Sequence, residues 1–488
     1  MKAIRTILGW AANSRPQWLL ALALVAACLA LPQITAQAQK AADSKDMKLL
    51  GYNDLQARSA YQPTIEKQGD RYIAYIGHHG GESMNTLTGK VEPNGTSILD
   101  VTNPANPKLL AHIPGEPRDP KTQGESGGAQ MARVCTDLPH APKGKFYLLR
   151  SFGTSAHEIW DVTDPAKPVR VTVITGGLLD THKSWWECDT GIGYLVSGVP
   201  GWRVTRMMQV YDLSDPLHPR FIRNFGLPGQ QPGATGTAPS ALHGAISTGP
   251  KGNRLYLAYG TTRSGVLQIV DREKLLTGPT DPTDANLTFP QISRVDLPPD
   301  VGAHTAFPLL GMTPPEYANF AVGKVRDFVA VTAETTDNEC QQPRQMVRFF
   351  DITDEADPLG VSTWTVHEGA HNFCEDGGRF GTHSSNENMT PIYYKRVLFI
   401  AHFNAGVRAI DVRDPYNPKE IAYFIPAITD KTDKRCVGRG ADQKCKVAIQ
   451  TNNVEVDDRG YIYIVDRANT GMDILELSGE ARSIANLP

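Results

Sequence analysis

The sequence has no marked excess of charge of either sign. Its 49 Lys and Arg residues nearly balance 52 Asp and Glu residues, which gives a formal net charge of −3 over 488 residues. Proteins that bind nucleic acid hold the phosphates with a strongly basic surface. The composition therefore does not predict a nucleic-acid partner.

Long apolar runs are absent except near the N-terminus. The one such run extends from Trp18 to Leu31, and small residues follow it at Ala36-Gln37-Ala38. The segment before the run is basic, with Lys2, Arg5 and Arg15. This order is typical of a secretory signal peptide, and the run is too short to be a good membrane span. We expect residues 1–38 to be removed, leaving a mature chain of 39–488 without a transmembrane helix.

A second interpretation of the N-terminus involves Cys28. The sequence Val25-Ala26-Ala27-Cys28 resembles a lipobox, and a lipoprotein would be anchored through this cysteine. The apolar run continues past Cys28, however, and the Ala-Gln-Ala cleavage site follows it. Both interpretations export the protein, and cleavage after Ala38 predicts a periplasmic or secreted location.

Several catalytic motifs are missing. No Gly-x-Gly-x-x-Gly lies between a strand and a helix. His367-Glu368 begins like a zinc-protease motif, but the next histidine, His371, comes too early. Dinucleotide binding is not predicted, and hydrolysis is the weakest of the functions considered.

Cysteine is scarce, and its count is even once Cys28 is set aside. The six that remain are Cys135, Cys188, Cys340, Cys374, Cys436 and Cys445. An exported chain favours disulfides, for which six cysteines allow 15 pairings. Proximity favours Cys436–Cys445 and then Cys340–Cys374, and Cys135–Cys188 is plausible because each precedes an equivalent strand. Metal thiolates are the alternative, although no Cys-x-x-Cys supports them.

Helical periodicity is rare, and short strands separated by turns dominate the chain. One phrase recurs in five places: ILDVTNPANPK from Ile98, IWDVTDPAKPV from Ile159, VYDLSDPLHPR from Val210, FFDITDEADPL from Phe349 and AIDVRDPYNPK from Ala409. Each copy is an apolar strand that ends in Asp, and in each a polar turn and a further apolar run follow. Such a repeat indicates units that bury their faces on their neighbours.

Aligning the chain on the final Asp of the phrase gives seven units. Their anchor residues are Asp100, Asp161, Asp212, Asp271, Asp351, Asp411 and Glu476. Each unit has four strand-like segments, so the sequence predicts an all-β fold, a seven-bladed β-propeller of four-stranded antiparallel blades. The expected blades are 57–115, 126–176, 178–228, 238–297, 300–367, 379–427 and 447–479. Either residues 47–51 or the segment after Gly479 is expected to complete the last blade.

The repeated phrase resembles that of the LVIVD-repeat family of exported propellers. The resemblance covers nearly the whole mature chain and rests on the five copies quoted above. It implies a propeller fold. It does not imply a reaction, so function has to be argued from the site.

Histidines recur at the start of the first strand in four successive units, at His182, His243, His304 and His383. The first unit has Tyr61 there. First strands line the central channel of a propeller, so these residues are expected to form a ring. The second strands end on the same face, because neighbouring strands are antiparallel. Their ends carry His78, His79, Glu334, His402 and Asp466.

Three interpretations of these residues remain open. Imidazoles that converge with a carboxylate suit a transition metal such as copper, zinc or iron. The first candidate ligands are His182, His243, His304 and His383, with His78, His79, Glu334 and His402 as nearby alternatives. The histidines could instead pin the blades together, as copies of one ancestral unit, or could bind an organic ligand.

The sequence leaves two classes of function. One is an exported metalloprotein, which could be an oxidoreductase. Selenium-binding proteins and methanethiol oxidases are propellers with copper-linked histidines, but this chain resembles them only in architecture and in its use of histidine. The other class is a non-enzymatic scaffold that binds a small molecule or another envelope protein.

Overall fold

The computed structural model describes residues 42–119, 126–315 and 324–487, and these residues form an all-β structure. The predicted signal peptide (1–38) and Cys28 lie outside the described residues. No helix among the described residues has the length and apolar character needed to span a membrane.

Five separate antiparallel sheets of four strands follow one another along the chain. The first contains β3 (Ala60–Gln68), β4 (Arg71–His78), β7 (Gly95–Asp100) and β8 (Lys108–Pro114). The second contains β9 (Ala132–Thr136), β10 (Phe146–Phe152), β11 (Ala156–Asp161) and β12 (Val169–Thr175). The third contains β13 (Trp185–Trp186), β14 (Ile192–Ser197), β15 (Met207–Asp212) and β16 (Arg220–Phe225).

The fourth sheet contains β17 (Leu242–Ser247), β18 (Arg254–Tyr259), β19 (Val266–Asp271) and β20 (Gln291–Asp296). The fifth contains β21 (Thr305–Met312), β22 (Arg326–Thr332), β23 (Val347–Asp351) and β24 (Leu359–Trp364). In each of the five sheets the strands pair in their order along the chain, although a hairpin at residues 82–93 is inserted between β4 and β7 of the first sheet.

The remaining long strands belong to one nine-stranded sheet. One part contains β1 (Asp43–Lys45), β25 (Phe380–Ser385), β26 (Val397–Phe403), β27 (Val407–Asp411) and β28 (Lys419–Ile425). The other contains β31 (Thr451–Val456), β32 (Ile462–Asp466), β33 (Met472–Leu477) and β2 (Met47–Asn53). The two parts are joined by a single residue pair, Phe403 with Thr451.

Short elements lie outside these sheets. Two hairpins are formed by β5 (Glu82–Asn85) with β6 (Lys90–Pro93) and by β29 (Lys434–Val437) with β30 (Lys444–Val447). The α-helices are Gly249–Gly252, Arg272–Thr277, Asp284–Thr288 and Gly479–Ile484, and the 3-10 turns are Leu55–Ala57, Glu368–Ala370 and Gly440–Asp442.

The Asp of the repeated phrase builds the turn that follows it. Asp100 accepts a hydrogen bond from the backbone N–H of Thr102 (2.9 Å), and Asp161 accepts one from Thr163 (2.9 Å). The same two-residue bond forms in the other three copies of the phrase, at Asp212, Asp351 and Asp411. Asp and Asn favour such turns because the side chain replaces a backbone acceptor. Asp271 anchors a unit that lacks the repeated phrase. Its side chain instead caps the short helix Arg272–Thr277 by accepting a hydrogen bond from the backbone N–H of Lys274.

The core consists of apolar layers between adjacent sheets. The second strands β4, β14 and β26 are buried along most or all of their length, because sheets pack on both of their faces. The first strands also contact one another in a closed order. β3 contacts β9, and contacts continue through β13, β17, β21, β25 and β31, which returns to β3.

All three predicted cysteine pairings are confirmed. Disulfides join Cys135 to Cys188, Cys340 to Cys374 and Cys436 to Cys445. The last disulfide links β29 to β30 across their hairpin.

The N-terminal segment, and not the C-terminal one, completes the last sheet. β2 pairs with β33 from Met47–Leu477 to Asn53–Met472, whereas the segment after Gly479 forms a helix. The start and the end of the described chain are therefore held together by backbone hydrogen bonds.

Substitution within β2 tests this closure. Met47 is 3% exposed and packs in an apolar cluster with Leu475 and Leu477, whereas Leu49 is 41% exposed. We expect Met47→Ala to lower the free energy of unfolding by about 2–3 kcal/mol, as for other buried large-to-small changes. Leu49→Ala should lower it by less than about 1 kcal/mol. Denaturant titration measures both changes in the free energy of unfolding. Equal changes in the two variants would contradict the closure of the last sheet by β2.

Candidate functional site

Five rings from the starts of first strands meet in one buried group, the histidine cluster of Tyr61, His182, His243, His304 and His383. Ring centroids lie 4.5 Å apart for His182–His243, 3.7 Å for His243–His304 and 4.3 Å for His304–His383. Tyr61 lies 5.2 Å from His182 and 5.7 Å from His383. The structure thus brings together the four histidines and the tyrosine that the sequence aligned.

Two members of the histidine cluster point their nitrogens at each other. The Nε2 atoms of His182 and His243 are 2.8 Å apart, and the two rings are nearly perpendicular, at 78°. His243 and His304 are instead close to parallel, at 33°. Two perpendicular imidazole rings can direct the lone pairs of their nitrogens to one point. Two near-parallel rings direct these lone pairs along nearly parallel lines.

Backbone carbonyls fix the protonation of two histidines. His243 Nδ1 lies 2.9 Å from the carbonyl oxygen of His304, and His383 Nδ1 contacts that of Asn452. A carbonyl oxygen can only accept, so each Nδ1 carries the proton and each neutral ring keeps a lone pair on Nε2. This is the arrangement that a metal-binding histidine requires. His182 is less well supported, because its Nδ1 has no partner in the described part of the chain.

Burial keeps the histidine cluster uncharged. It lowers the pKa of His182, His243, His304 and His383 well below the usual value, and neighbouring cations or imidazoles lower it further. Burial also raises the pKa of Tyr61 well above its usual value, so the phenol keeps its proton. Neutral imidazoles are the form that binds metal ions.

A cavity of about 350 Å³ opens above the histidine cluster. Its lining includes Tyr61, His182, His243 and His383, but not His304. The rest of its wall is formed by His79, Ser126, Gln130, Thr154, Asp180, Arg206, Thr261, Glu334 and Arg467. A second cavity of about 340 Å³ shares Asp180, Arg206, His243 and Thr261 with it.

Ion pairs surround this cavity. Glu334 accepts from Arg379 (3.1 Å) and from Arg467 (3.4 Å), and its Oε1 is 3.8 Å from His383 Nε2. Arg206 pairs with Asp180 (2.8 Å). Both carboxylates are thus held at the wall by arginines.

Some of the site residues that were predicted at the ends of the second strands are wrong by one position. His79 and Glu334 reach the cavity, but the side chains of His78 and His402 do not. His78 bonds to Ser97 Oγ (2.8 Å), and His402 packs between the rings of Trp364 and Phe380.

The residue that follows each of these positions faces the site instead. Arg467 lines the cavity, while Asp466 accepts the backbone N–H groups of Gln450 and Ala468. Phe403 packs on His383 at 5.1 Å. Successive side chains of a strand point to opposite faces, so an alignment one residue early selects the wrong side chain.

Other cavity residues carry no sequence signal of their own. Arg206 and Asp180 lie in connections that the repeat does not align. Lys183 follows His182 directly and lies beneath the cluster, 2% exposed. Comparing the residue after each first-strand histidine would have drawn attention to it.

Two groups of possible metal ligands occur among the described residues. Single ligand atoms of His243, His304 and Glu334 lie within 4.8 Å of one another. A second group, Cys340, Glu368 and Cys374, offers no thiolates because its cysteines form a disulfide. The first group, of which His243 and His304 belong to the histidine cluster, is the one whose chemistry fits an ion.

No protein-family model matches the chain, and no curated protein matches it significantly. The function is therefore inferred from the repeat and from the geometry of the site.

Histidine burial predicts a loss of stability in acid. Burial lowers the pKa of His402 from 6.5 to about 3, so the unfolded chain takes up its proton first as the pH falls. Between about pH 6.5 and 3 this residue should contribute a slope of about 1.4 kcal/mol per pH unit. We expect His402→Leu to reduce the measured slope by about that amount, and the exposed His140→Leu to leave it unchanged. If His402→Leu left the slope unaltered, the contribution assigned to the lowered pKa of His402 would be contradicted.

Proposed function

We propose that the chain is an exported LVIVD-repeat protein, a seven-bladed β-propeller that binds a transition-metal ion at the histidine cluster. The closed order of contacts among first strands supports the propeller. So does the nine-stranded sheet, which divides at the single pair Phe403–Thr451 into two sets with four successive antiparallel strands each. With the five separate sheets, these two sets support the proposed count of seven blades.

The observation that carries the metal site is the pair of Nε2 atoms of His182 and His243, 2.8 Å apart. Two nitrogens bound to one ion at 2.0–2.1 Å, with a bond angle of 90–110°, lie about 2.8–3.4 Å apart. Without an ion, one proton between the nitrogens satisfies both. A metal ion can replace that proton with little movement of either ring.

Two further residues that could bind the ion lie near this pair. His383 has its Nε2 lone pair free for coordination, and Glu334 lies beside it. Imidazole with a carboxylate suits copper, zinc or iron. The ion would provide Lewis acidity or, if redox-active, electron transfer, and the adjoining cavity has room for a small substrate. An oxidoreductase is therefore the activity to test first.

Export fits the three disulfides, since disulfides persist in oxidising compartments. The periplasm or the extracellular medium is accordingly the proposed location.

Metal loading tests the proposal directly. Protein purified without a histidine tag should bind one Cu²⁺ or Zn²⁺ per chain, measured by elemental analysis and calorimetry. His243→Gln should weaken binding by more than about 100-fold, beyond the loss typical of residues that only support a ligand. His78→Gln, a buried histidine outside the cluster, should keep the wild-type affinity. Protein that stays metal-free after dialysis against both ions would contradict the proposal.

One observation favours the alternative, a scaffold that binds another envelope protein. The hairpin of β5 and β6 begins three residues after His79 and exposes Met84 (48%), Leu87 (52%) and Val91 (57%). Exposed apolar groups of this kind often mark protein contacts. If Met84→Ser/Val91→Ser abolished function in cells while metal binding stayed intact, the scaffold would be favoured.

A further inference from the structure

A buried hydrogen-bond chain lies beneath the histidine cluster. Lys183 Nζ donates to Thr305 Oγ1 (2.8 Å), and Thr305 Oγ1 is 2.8 Å from His304 Nδ1. All three residues are at most 2% exposed. Lys183 and Thr305 each follow a cluster histidine directly, so the hydrogen bonds join equivalent positions of the third and fifth sheets.

The direction of this chain follows from its first member. Lys183 is paired with the Glu387 carboxylate, which Arg133 also contacts. A lysine ammonium has donors and no acceptor, so Thr305 Oγ1 accepts from Lys183. The hydroxyl proton of Thr305 then needs an acceptor, and His304 Nδ1 is the one that the described residues offer.

His304 is consequently held in the opposite way to its neighbours. Its Nδ1 accepts, so the neutral ring carries its proton on Nε2. In His243 and His383 the proton is on Nδ1, where a carbonyl fixes it. His304 also lies nearly parallel to His243 and is not part of the cavity wall. These observations agree that His304 is the least suitable ligand of the four.

We propose that Lys183 and Thr305 hold His304 as an Nε2–H donor directed at Tyr61, so that His304 positions Tyr61 and is not a metal ligand. The Tyr61 hydroxyl is 3.5 Å from His304 Nε2 and 3.2 Å from His182 Nε2. If its oxygen accepts from His304, its own proton is directed away from His304, toward the cavity that Tyr61 lines. Tyr61 is then the hydrogen-bond donor that a molecule bound in the cavity meets. The statement about ligands rests on the proposed function, and the protonation of His304 does not.

Nitrogen NMR of metal-free protein labelled with ¹⁵N-histidine tests the protonation. The His304 signals are assigned by their loss in His304→Gln. We expect Nε2 to give the shift of a protonated nitrogen and Nδ1 that of a hydrogen-bonded acceptor. Thr305→Val should move Nδ1 to the shift of a nitrogen without a hydrogen bond, and Thr305→Ser should restore it. A proton on Nδ1 in the wild-type protein would overturn the proposal.

The role of Lys183 is tested in the same spectra. Lys183→Met should yield a mixture of the two forms of His304, because Thr305 is then free to accept from Nδ1. If that variant does not fold, the double variant Lys183→Met/Glu387→Gln removes both charges of the ion pair. Its spectrum should show the same mixture of the two forms of His304. A spectrum unchanged from wild type in a folded variant would show that Lys183 does not set the direction.

Metal affinity separates this inference from the proposed function. His304→Gln should weaken Cu²⁺ binding by no more than about tenfold, the lower end of the loss typical of supporting residues, while His243→Gln should weaken it by more than about 100-fold. Equal losses in the two variants would make His304 a ligand and overturn the inference. If wild-type protein binds no metal, the proposed function is wrong, and the NMR result still decides the protonation of His304.

Discussion

The contact between the first strands of successive sheets is the constraint on which the site depends. Because these strands meet in a closed order, the side chains at their starts are forced together away from water. Four histidines and one tyrosine meet there and are 5% exposed or less. Buried polar groups need partners, and here the partners are backbone carbonyls, a threonine hydroxyl and one another. The same packing that closes the structure therefore fixes the protonation of His243 and His383.

Electrostatics divides the buried interior into two layers. The histidine cluster is neutral, because burial and nearby cations lower the histidine pKa values. Beneath it lies a charged layer in which Glu387 is held by Lys183 and Arg133. In the same layer, burial and then Glu387 raise the pKa of Glu455 to about 7. Buried ion pairs add little net stability, but removing one partner is costly, so this layer mainly fixes geometry.

Much of the fold could be predicted from the sequence because it repeats. The Asp-based turns and the four-stranded antiparallel sheets follow from residue types and spacing, and the three disulfides are the pairings that the sequence favoured without fixing them. The four first-strand histidines were found because their positions align with the repeat. The second-strand residues were placed less well: His78 and His402 precede the side chains that face the site, since a strand reverses its face at every residue. Arg206 and Asp180 could not be predicted, because their position depends on how separate sheets meet and not on a repeated pattern, whereas Lys183 could have been found from its place after an aligned histidine.

Anomalous X-ray scattering from crystals loaded with Cu²⁺ would test the central claim most directly. The account predicts one strong peak at the copper absorption edge, within about 2.0–2.2 Å of the Nε2 atoms of His182 and His243. Peaks confined to exposed histidines such as His140 and His218, with none at the cluster, would contradict it.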